Sequence, residues 1–181
     1  MNIRLISGEF GGRLLDAPPG RRMHPMGERI RNALFNSIGS EIKGAQVLDA
    51  FSGTGAVGLE ALSRGAEHVT FIERDKLLQK IIAGNIERLG VGNRTTLIRT
   101  SVANWLKTSE LQQFDVILVD PPYNDTQFST VGQLLDLLKP SALMVLSHPG
   151  KGEVPTKAGV VVVDNRSYGT AVLTFYRRED V

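Results

Sequence analysis

The chain has 181 residues, of which 41% are hydrophobic and 22% are charged, which indicates one soluble globular domain and excludes a disordered protein. It has no cysteine and three widely separated histidines, so disulfide bonds, thiolate zinc sites and cysteine nucleophiles are excluded, and we predict no metal site. The net charge of +2 is mild, and no apolar run is long enough to span a bilayer, so we expect a cytoplasmic protein.

The N-terminal segment shows a hairpin pattern followed by a helical one. Residues 2–16 predict a β-hairpin, because short apolar runs flank a glycine-containing turn. Apolar residues at helical spacing predict a helix from Glu28 to Ile38, with Gly39 as its stop. We expect residues 1–40 to extend a catalytic core at 41–181, the whole chain 1–181 forming a single domain.

From residue 46 onward, short apolar strands alternate with helices. Strands are predicted at 47–48, 68–72, 95–99, 116–119, 142–147, 160–163 and 171–176, and helices at 56–64, 76–89, 103–107 and 128–138. This alternation predicts an α/β fold of the Rossmann-like type, with a mainly parallel seven-stranded sheet and helices on both faces.

A glycine loop follows the strand at 47–48. Gly53, Gly55 and Gly58 form the pattern G-x-G-x-x-G, which lets the backbone approach a ligand at the start of a helix. Glu73 ends the next strand, where an acid can accept hydrogen bonds from two ribose hydroxyls. The pattern predicts a cofactor that carries a nucleoside. The alternative for Glu73 is an ordinary solvated acid at a helix entry.

Asp49 bears on the choice between NAD and S-adenosyl-L-methionine. Its carboxylate lies at the strand end before the glycine loop, where it would repel the pyrophosphate of a dinucleotide. The same carboxylate suits the ammonium group of a methionine portion, so S-adenosyl-L-methionine is favoured. The alternative is that Asp49 only caps the loop.

A second motif follows the strand at 116–119. Asp120-Pro121-Pro122-Tyr123 contains two prolines that cannot continue the sheet, so they stiffen the turn and direct Asp120 and the Pro121 carbonyl into the crevice. These two acceptors could hold both N–H bonds of an exocyclic amine while Tyr123 stacks on a flipped-out base. The motif predicts methyl transfer to an amine, with a rigid structural turn as the alternative.

Several stretches resemble the RsmD-type methyltransferases: 4–8, 12–13, 29–36, 47–55, 60–66 and 120–123. The resemblance runs from about residue 3 to residue 176. It implies the fold of S-adenosyl-L-methionine-dependent methyltransferases and methyl transfer to the N2 amine of a guanine in 16S ribosomal RNA. It also implies the small ribosomal subunit as partner; we expect a monomer without membrane contact.

The resemblance implies cofactor contacts around the glycine loop and at the following strand ends. These residues are Asp49, Phe51, Ser52, Gly53, Thr54, Gly55, Glu73, Arg74, Ser101 and Val102. Glu73 would hold the ribose, Ser101 and Val102 would flank the adenine, and Asp120 and Tyr123 would meet the guanine.

Arginine is concentrated in the N-terminal fifth of the chain. Residues 1–36 carry six arginines against three acids, a net charge of +3, so the remainder carries −1. Arginine forks onto phosphate, and the predicted RNA-binding residues are Arg4, Arg13, Arg21, Arg22, Arg29 and Arg31. The alternative is a solvated basic surface.

Two other functions stay open on the sequence. DNA adenine and cytosine amine methyltransferases share the Asp-Pro-Pro-aromatic motif, although this chain has no sizeable insertion that could read DNA. A non-catalytic, nucleotide-binding RNA chaperone would use the motif at 120–123 only as a structural turn.

Overall fold

The structure is a computed structural model that describes residues 2–20, 26–108 and 110–180. In the N-terminal arm, strand β1 (Asn2–Arg4) pairs antiparallel with β2 (Leu14–Asp16), which confirms the predicted hairpin. Helix α1 (Glu28–Ile38) has the predicted bounds and ends where Gly39 adopts a φ of 63°. We use "N-terminal arm" for residues 2–38 as far as the structure describes them.

Eleven further strands and helices are described beyond the arm. They are β3 (Gln46–Ala50), α2 (Ala56–Ser63), β4 (His68–Ile72), α3 (Lys76–Leu89), β5 (Thr95–Ile98), α4 (Val102–Trp105), β6 (Phe114–Val119), α5 (Phe128–Leu134), β7 (Leu138–His148), β8 (Val160–Tyr168) and β9 (Ala171–Arg178). Among them, no helix has the length and apolar character that crossing a membrane requires.

The main sheet has seven strands in the order β5-β4-β3-β6-β7-β9-β8. Strands β3 to β7 pair in parallel, and β9 runs antiparallel to both of its neighbours. The predicted fold class is confirmed. The carboxyl ends of β3, β4 and β6 therefore meet at one edge, where open α/β sheets bind their ligands.

Several predicted boundaries are wrong: β7 begins at Leu138 and not at 142, β8 continues to Tyr168 and not to 163, and α5 is shorter than expected. The helix expected at 128–138 ends at Leu134 and continues as a short 3-10 turn over Leu135–Leu137, after which Leu138 begins β7. Leu138 pairs with Phe114 of β6. The leucines stay buried through this change of backbone, so hydrophobic spacing alone could not reveal where the helix gives way to the sheet.

Each face of the sheet is covered by a separate hydrophobic core. Alternate residues of one strand enter different cores, as Val47 and Leu48 do. The first core contains residues of β3, α2 and α3 together with Leu5, Leu15 and Leu34 of the arm. The arm therefore packs directly against the part of the sheet that carries the glycine loop.

Candidate active site

A narrow cleft opens at the carboxyl edge of the sheet. Its lining is mostly apolar, and its polar members are Asp49, Asp120 and Ser147. Met26 and Leu34 of the N-terminal arm form part of its wall. Among the described lining residues, both charged side chains are acids, which makes the cleft suitable for a positively charged ligand.

The first part of the glycine loop is held by hydrogen bonds to β3 and β4. Gly53 and Gly55 have φ angles of 60° and 83°, which glycine adopts without steric cost. The Ser52 hydroxyl donates to the Asp49 carbonyl at 2.6 Å and accepts from the Ile72 N–H at 3.0 Å. Ser52, a predicted cofactor contact, is buried and fixes the loop to the strands beneath it.

Gly58, the third glycine of the pattern, is needed for packing. A Cβ atom at Gly58 would lie 2.4 Å from the Phe71 ring and 2.8 Å from Asp49 Oδ2. Its N–H donates to the same Asp49 oxygen at 3.0 Å. Gly58 therefore lets α2 lie close to β4 and to the Asp49 carboxylate.

Asp49 accepts from the Gly58 N–H near the start of α2 and also lines the cleft, so the loop-capping role is seen and its contact with the cofactor stays a prediction. The side chain is 2% exposed. Burial raises the pKa of Asp49 well above its usual value, the negative charges of Asp120 and Glu73 raise it further, and the Gly58 N–H opposes the shift. A cation in the cleft would relieve both the desolvation and the repulsion.

Glu73 is buried, so it is not a solvated helix-entry acid. Its two carboxylate oxygens accept from the Gly53 N–H at 2.8 Å and the Asp75 N–H at 2.9 Å. Burial raises the pKa of Glu73, and these backbone bonds lower it. The acid predicted to hold a ribose thus also ties the glycine loop to the start of α3.

The other predicted cofactor residues surround this loop and the end of β5. Phe51 has a φ of 59° and packs against the second core, and Thr54 is buried. Arg74 is exposed. Ser101 caps α4 by accepting from the Asn104 N–H at 3.1 Å, and the Val102 side chain is buried in the core. An adenine placed beside Val102 would therefore contact mainly the backbone and Ser101, because the Val102 side chain points into the core.

The Asp-Pro-Pro-Tyr motif projects from the end of β6 into the cleft region. Burial raises the pKa of Asp120 to about 6, and a side-chain hydrogen bond with Ser147 opposes the shift. Pro121 is buried, whereas Pro122 is exposed and its carbonyl accepts from the Asp125 N–H at 3.0 Å. Tyr123 is 38% exposed. The motif therefore combines a half-buried carboxylate with an accessible aromatic ring.

Ser147 is a site residue that the sequence reasoning missed. It lies near the end of β7, is 3% exposed, and its Oγ is 2.7 Å from the Tyr123 hydroxyl oxygen. The available signal was the polar pair Ser147-His148 directly after the apolar run at 142–146. That pair ends the strand next to β6, at the edge where Asp120 lies.

Arg31, predicted to contact RNA, requires a correction. Its side chain is 1% exposed and its Nε lies 3.3 Å from Glu60 Oε1. Glu60 is itself fully buried and accepts from the Ile6 N–H at 2.9 Å, the Ser7 N–H at 3.1 Å and Arg64 Nε at 3.0 Å. We call these residues the Glu60 cluster. It joins the arm to α2, and Arg31 serves the fold.

The other predicted RNA-binding arginines have different surroundings. Arg4 forms an exposed, two-pronged ion pair with Glu28 at 3.0 and 3.1 Å. Arg13 donates to a backbone carbonyl of α3 at 3.2 Å, and Arg29 lies over the Tyr168 ring at 6.0 Å. Arg21 and Arg22 lie outside the described residues. For all five of these arginines, contact with RNA stays a prediction.

Within the described ranges, no group of three or more acids or histidines is arranged to hold a metal ion.

Comparison with known proteins gives a consistent result. The family model described as "Conserved hypothetical protein 95" matches residues 3–177. The chain is 35% identical to ribosomal RNA small subunit methyltransferase D of Haemophilus influenzae, over 97% of this chain and 93% of that protein. It is 31% identical to the Escherichia coli protein of the same name, over 98% of this chain and 90% of that protein.

The solved structures agree. The structure of yhhF from Escherichia coli superposes with a TM-score of 0.88 at 30% identity, covering 100% of both chains. SMU.776, solved in complex with SAH, has a TM-score of 0.64 at 18% identity, covering 82% of this chain and 48% of the other. At that identity the second match supports the fold alone.

Proposed function

The chain belongs to the RsmD family of ribosomal RNA methyltransferases, and we propose that it transfers a methyl group from S-adenosyl-L-methionine to the N2 amine of a guanine in 16S ribosomal RNA. One observation carries the proposal. The Asp49 and Asp120 carboxylates line the same cleft, and no basic side chain is among its described lining residues. Such a cleft accepts a positively charged ligand and rejects the pyrophosphate of NAD.

The residues around the cleft fit this cofactor. A sulfonium and an ammonium group would both be stabilised near Asp49 and Asp120, whose pKa values are raised in the absence of a cation. Glu73 uses one acceptor position on each carboxylate oxygen for backbone N–H groups. About two lone-pair sites per oxygen leave capacity for ribose hydroxyls. Phe51, the loop glycines and the end of β5 complete the proposed cofactor contacts.

The chain's own residues would prepare the amine. S-adenosyl-L-methionine supplies a methyl group on a positively charged sulfur. The Asp120 carboxylate and the Pro121 carbonyl accept the two N–H bonds of the amine, which aligns the nitrogen lone pair for attack. Asp120 also stabilises the positive charge that develops on that nitrogen. Tyr123 offers its exposed ring to the base, and Met26 and Leu34 keep the cleft wall apolar.

The two acceptors by themselves do not select the base. The Asp120 carboxylate and the Pro121 carbonyl match the two N–H bonds of any exocyclic amine, and adenine, cytosine and guanine each carry one. The choice of guanine N2 therefore rests on the resemblance to the RsmD family, and the labelling experiment below tests it.

We propose that RNA approaches along the N-terminal arm and that the protein acts as a monomer on the small ribosomal subunit. Arg13 and Arg29 remain candidates for phosphate contacts among the described residues, with Arg21 and Arg22 beyond them. Arg4 would have to break its ion pair with Glu28 before it could bind a phosphate.

Methyl transfer is tested with small ribosomal subunits that lack the modification and with methyl-labelled S-adenosyl-L-methionine. We expect label on the N2 atom of a guanine in 16S ribosomal RNA. Asp120→Ala should lower kcat by about 10²–10³-fold, because a preorganised charge at the reacting nitrogen is lost. Label on DNA amines would support the DNA methyltransferase instead. A wild-type rate in Asp120→Ala would show that the motif is only structural.

Cofactor choice is tested by calorimetry with S-adenosyl-L-methionine and with NAD. Asp49→Asn should weaken binding of S-adenosyl-L-methionine by roughly tenfold to a hundredfold, because a charged hydrogen-bonding partner is removed. Asp75→Asn is the matched control, since Asp75 caps α3 outside the cleft and asparagine also caps helices. Tight NAD binding without binding of S-adenosyl-L-methionine would contradict the proposal.

A further inference from the structure

Ser147 is held beside Asp120 by the register of the sheet. Val119 of β6 pairs in parallel with Leu146 of β7, so the next residues along both strands, Asp120 and Ser147, are neighbours. On its other side, Ser147 pairs with Leu173 of β9. Its backbone is therefore fixed from two directions, and its side chain enters the cleft.

The residue after Ser147 adds to this fixation. Nδ1 of His148 accepts from the Gly150 N–H at 3.1 Å, so the ring proton lies on Nε2 and is donated to Thr174 Oγ1 at 2.8 Å. Thr174 in turn donates to Asn165 Oδ1 at 2.7 Å. This chain of bonds links the end of β7 to β9 and β8. The residue that follows Ser147 is thereby held in place at the end of β7.

The Ser147 hydroxyl lies beside two members of the Asp-Pro-Pro-Tyr motif. Its Oγ is 2.7 Å from the Tyr123 hydroxyl oxygen, and the register of β6 and β7 places it beside Asp120 in the same cleft. A serine hydroxyl donates one hydrogen and accepts through two lone pairs. It can therefore accept from the Tyr123 O–H and donate to the Asp120 carboxylate at the same time.

We propose that Ser147 is a positioning residue of the methyl transfer, joining Tyr123 and Asp120 in one hydrogen-bonded chain that runs from Tyr123 through Ser147 to the carboxylate. The inference rests on the proposed function and deepens it. Ser147 touches neither cofactor nor base in this role. It acts on the transfer through the two residues that do.

The chain of bonds has two consequences. It fixes the hydroxyl end of Tyr123 while leaving the ring accessible, so the ring is preorganised for stacking. It also stabilises the ionised form of Asp120, because the hydrogen bond from Ser147 lowers the pKa that burial raises. Ionised Asp120 accepts N–H bonds from the amine, whereas the protonated form has lost part of that capacity.

None of the other charged or titratable side chains described around Asp120 offers it a positive charge. Asp49 of β3 lines the same cleft and has its own pKa raised by the charges of Asp120 and Glu73. Tyr123 is the titratable group on its own segment. The side chains that α1 and α2 contribute to the cleft, Leu34 and Val57, are apolar. Ser147 is therefore the hydrogen-bond donor that counteracts burial at Asp120 among the described residues.

The test compares Ser147→Ala with wild type in three measurements. The ¹³C carboxyl titration of Asp120 in cofactor-free protein should move to higher pH. The acidic limb of the kcat/KM profile should move in the same direction, and kcat/KM near pH 6 should fall by about tenfold. Tyr123→Phe should weaken RNA binding in wild type, and this effect should shrink in the Ser147→Ala background because the two residues act in one chain.

Ser141→Ala is the matched control, because it removes a hydroxyl from the opposite end of β7, where Ser141 bonds Asp180 at the surface. An unchanged Asp120 titration in Ser147→Ala, or an equal shift in Ser141→Ala, would overturn the positioning role. Wild type without methyl transfer to ribosomal RNA would instead defeat the proposed function. The titration and the two variants would still report on the hydrogen-bonded chain.

Discussion

The Glu60 cluster and the cleft both contain desolvated acids, and their surroundings differ: Glu60 and Asp49 are buried, and Asp120 is half-buried. In the Glu60 cluster, Glu60 receives Arg31, Arg64 and the N–H groups of Ile6 and Ser7. In the cleft, the negative charge of Asp120 raises the pKa of Asp49, which accepts one backbone N–H, and the Ser147 hydroxyl lies beside Asp120. The first carboxylate has cationic partners from the chain itself, and the other two have none among the described lining residues.

This is the difference expected between a structural carboxylate and one that binds a cationic ligand, the role proposed for Asp49 and Asp120. Burying a charge is costly unless it is paired and hydrogen-bonded. The Glu60 cluster meets that requirement within the chain and joins the arm to α2. In the cleft, the proposed cationic cofactor would meet it. The two regions are also connected, because the same arm contributes Met26 and Leu34 to the cleft wall.

The largest effect on stability is expected from Glu60→Gln. Removing the charge leaves Arg31 buried without its anionic partner, so we expect the free energy of unfolding to fall by roughly 3–5 kcal/mol. Urea denaturation measures the loss. Glu67→Gln makes the same substitution on an exposed glutamate just after α2 and should change stability by less than about 0.5 kcal/mol. Equal stabilities of the two variants would remove the structural role of the cluster.

Asp120→Asn should change stability in the opposite direction and make the protein more stable at pH 8. The folded-state pKa of Asp120 is about 6, above the value of about 4 in an unfolded chain. Between these values the folded state binds more protons, so the wild type loses stability as pH rises and does not regain it above pH 6. Asparagine does not ionise, so the variant should be more stable than wild type at pH 8, by at most about 3 kcal/mol.

Thermal unfolding of cofactor-free protein between pH 4 and pH 8 measures this difference, which should vanish at the acidic end. Added S-adenosyl-L-methionine should narrow it at pH 8, because the cation stabilises the wild-type carboxylate. An Asp120→Asn protein that is less stable than wild type at pH 8 would show that the carboxylate is already compensated within the chain.

The smallest effect is expected from Arg4→Ala. Arg4 and Glu28 form an ion pair on the surface of the arm, with 58% and 45% of their side chains exposed. Water and salt screen such pairs, so Tm should not change measurably at either low or high salt. A clear, salt-dependent drop in Tm would mean that the exposed pair supports the arm as the Glu60 cluster does.

Much of the site could be predicted because it depends on local pattern and on strand order. Local patterns of apolar residues, glycines and prolines predicted four features: the hairpin, the bounds of α1, the glycine loop and the Asp-Pro-Pro-Tyr motif. Parallel strands then bring Asp49, Glu73 and Asp120 to one edge without further information. Gly58 belonged to the predicted pattern, but its need for close packing against Phe71 became visible only in the structure.

By itself, the sequence determined the strand–helix alternation, the position of the cleft and the acids that line it, because periodicity and turn residues act over a few neighbouring positions. The tertiary structure decided which polar residues are paired. Arg31 meets Glu60 across 29 positions, Ile6 meets it across 54, and Tyr123 meets Ser147 across 24. A buried charge is stable only beside its partner, and here the partners come from distant segments that folding brings together.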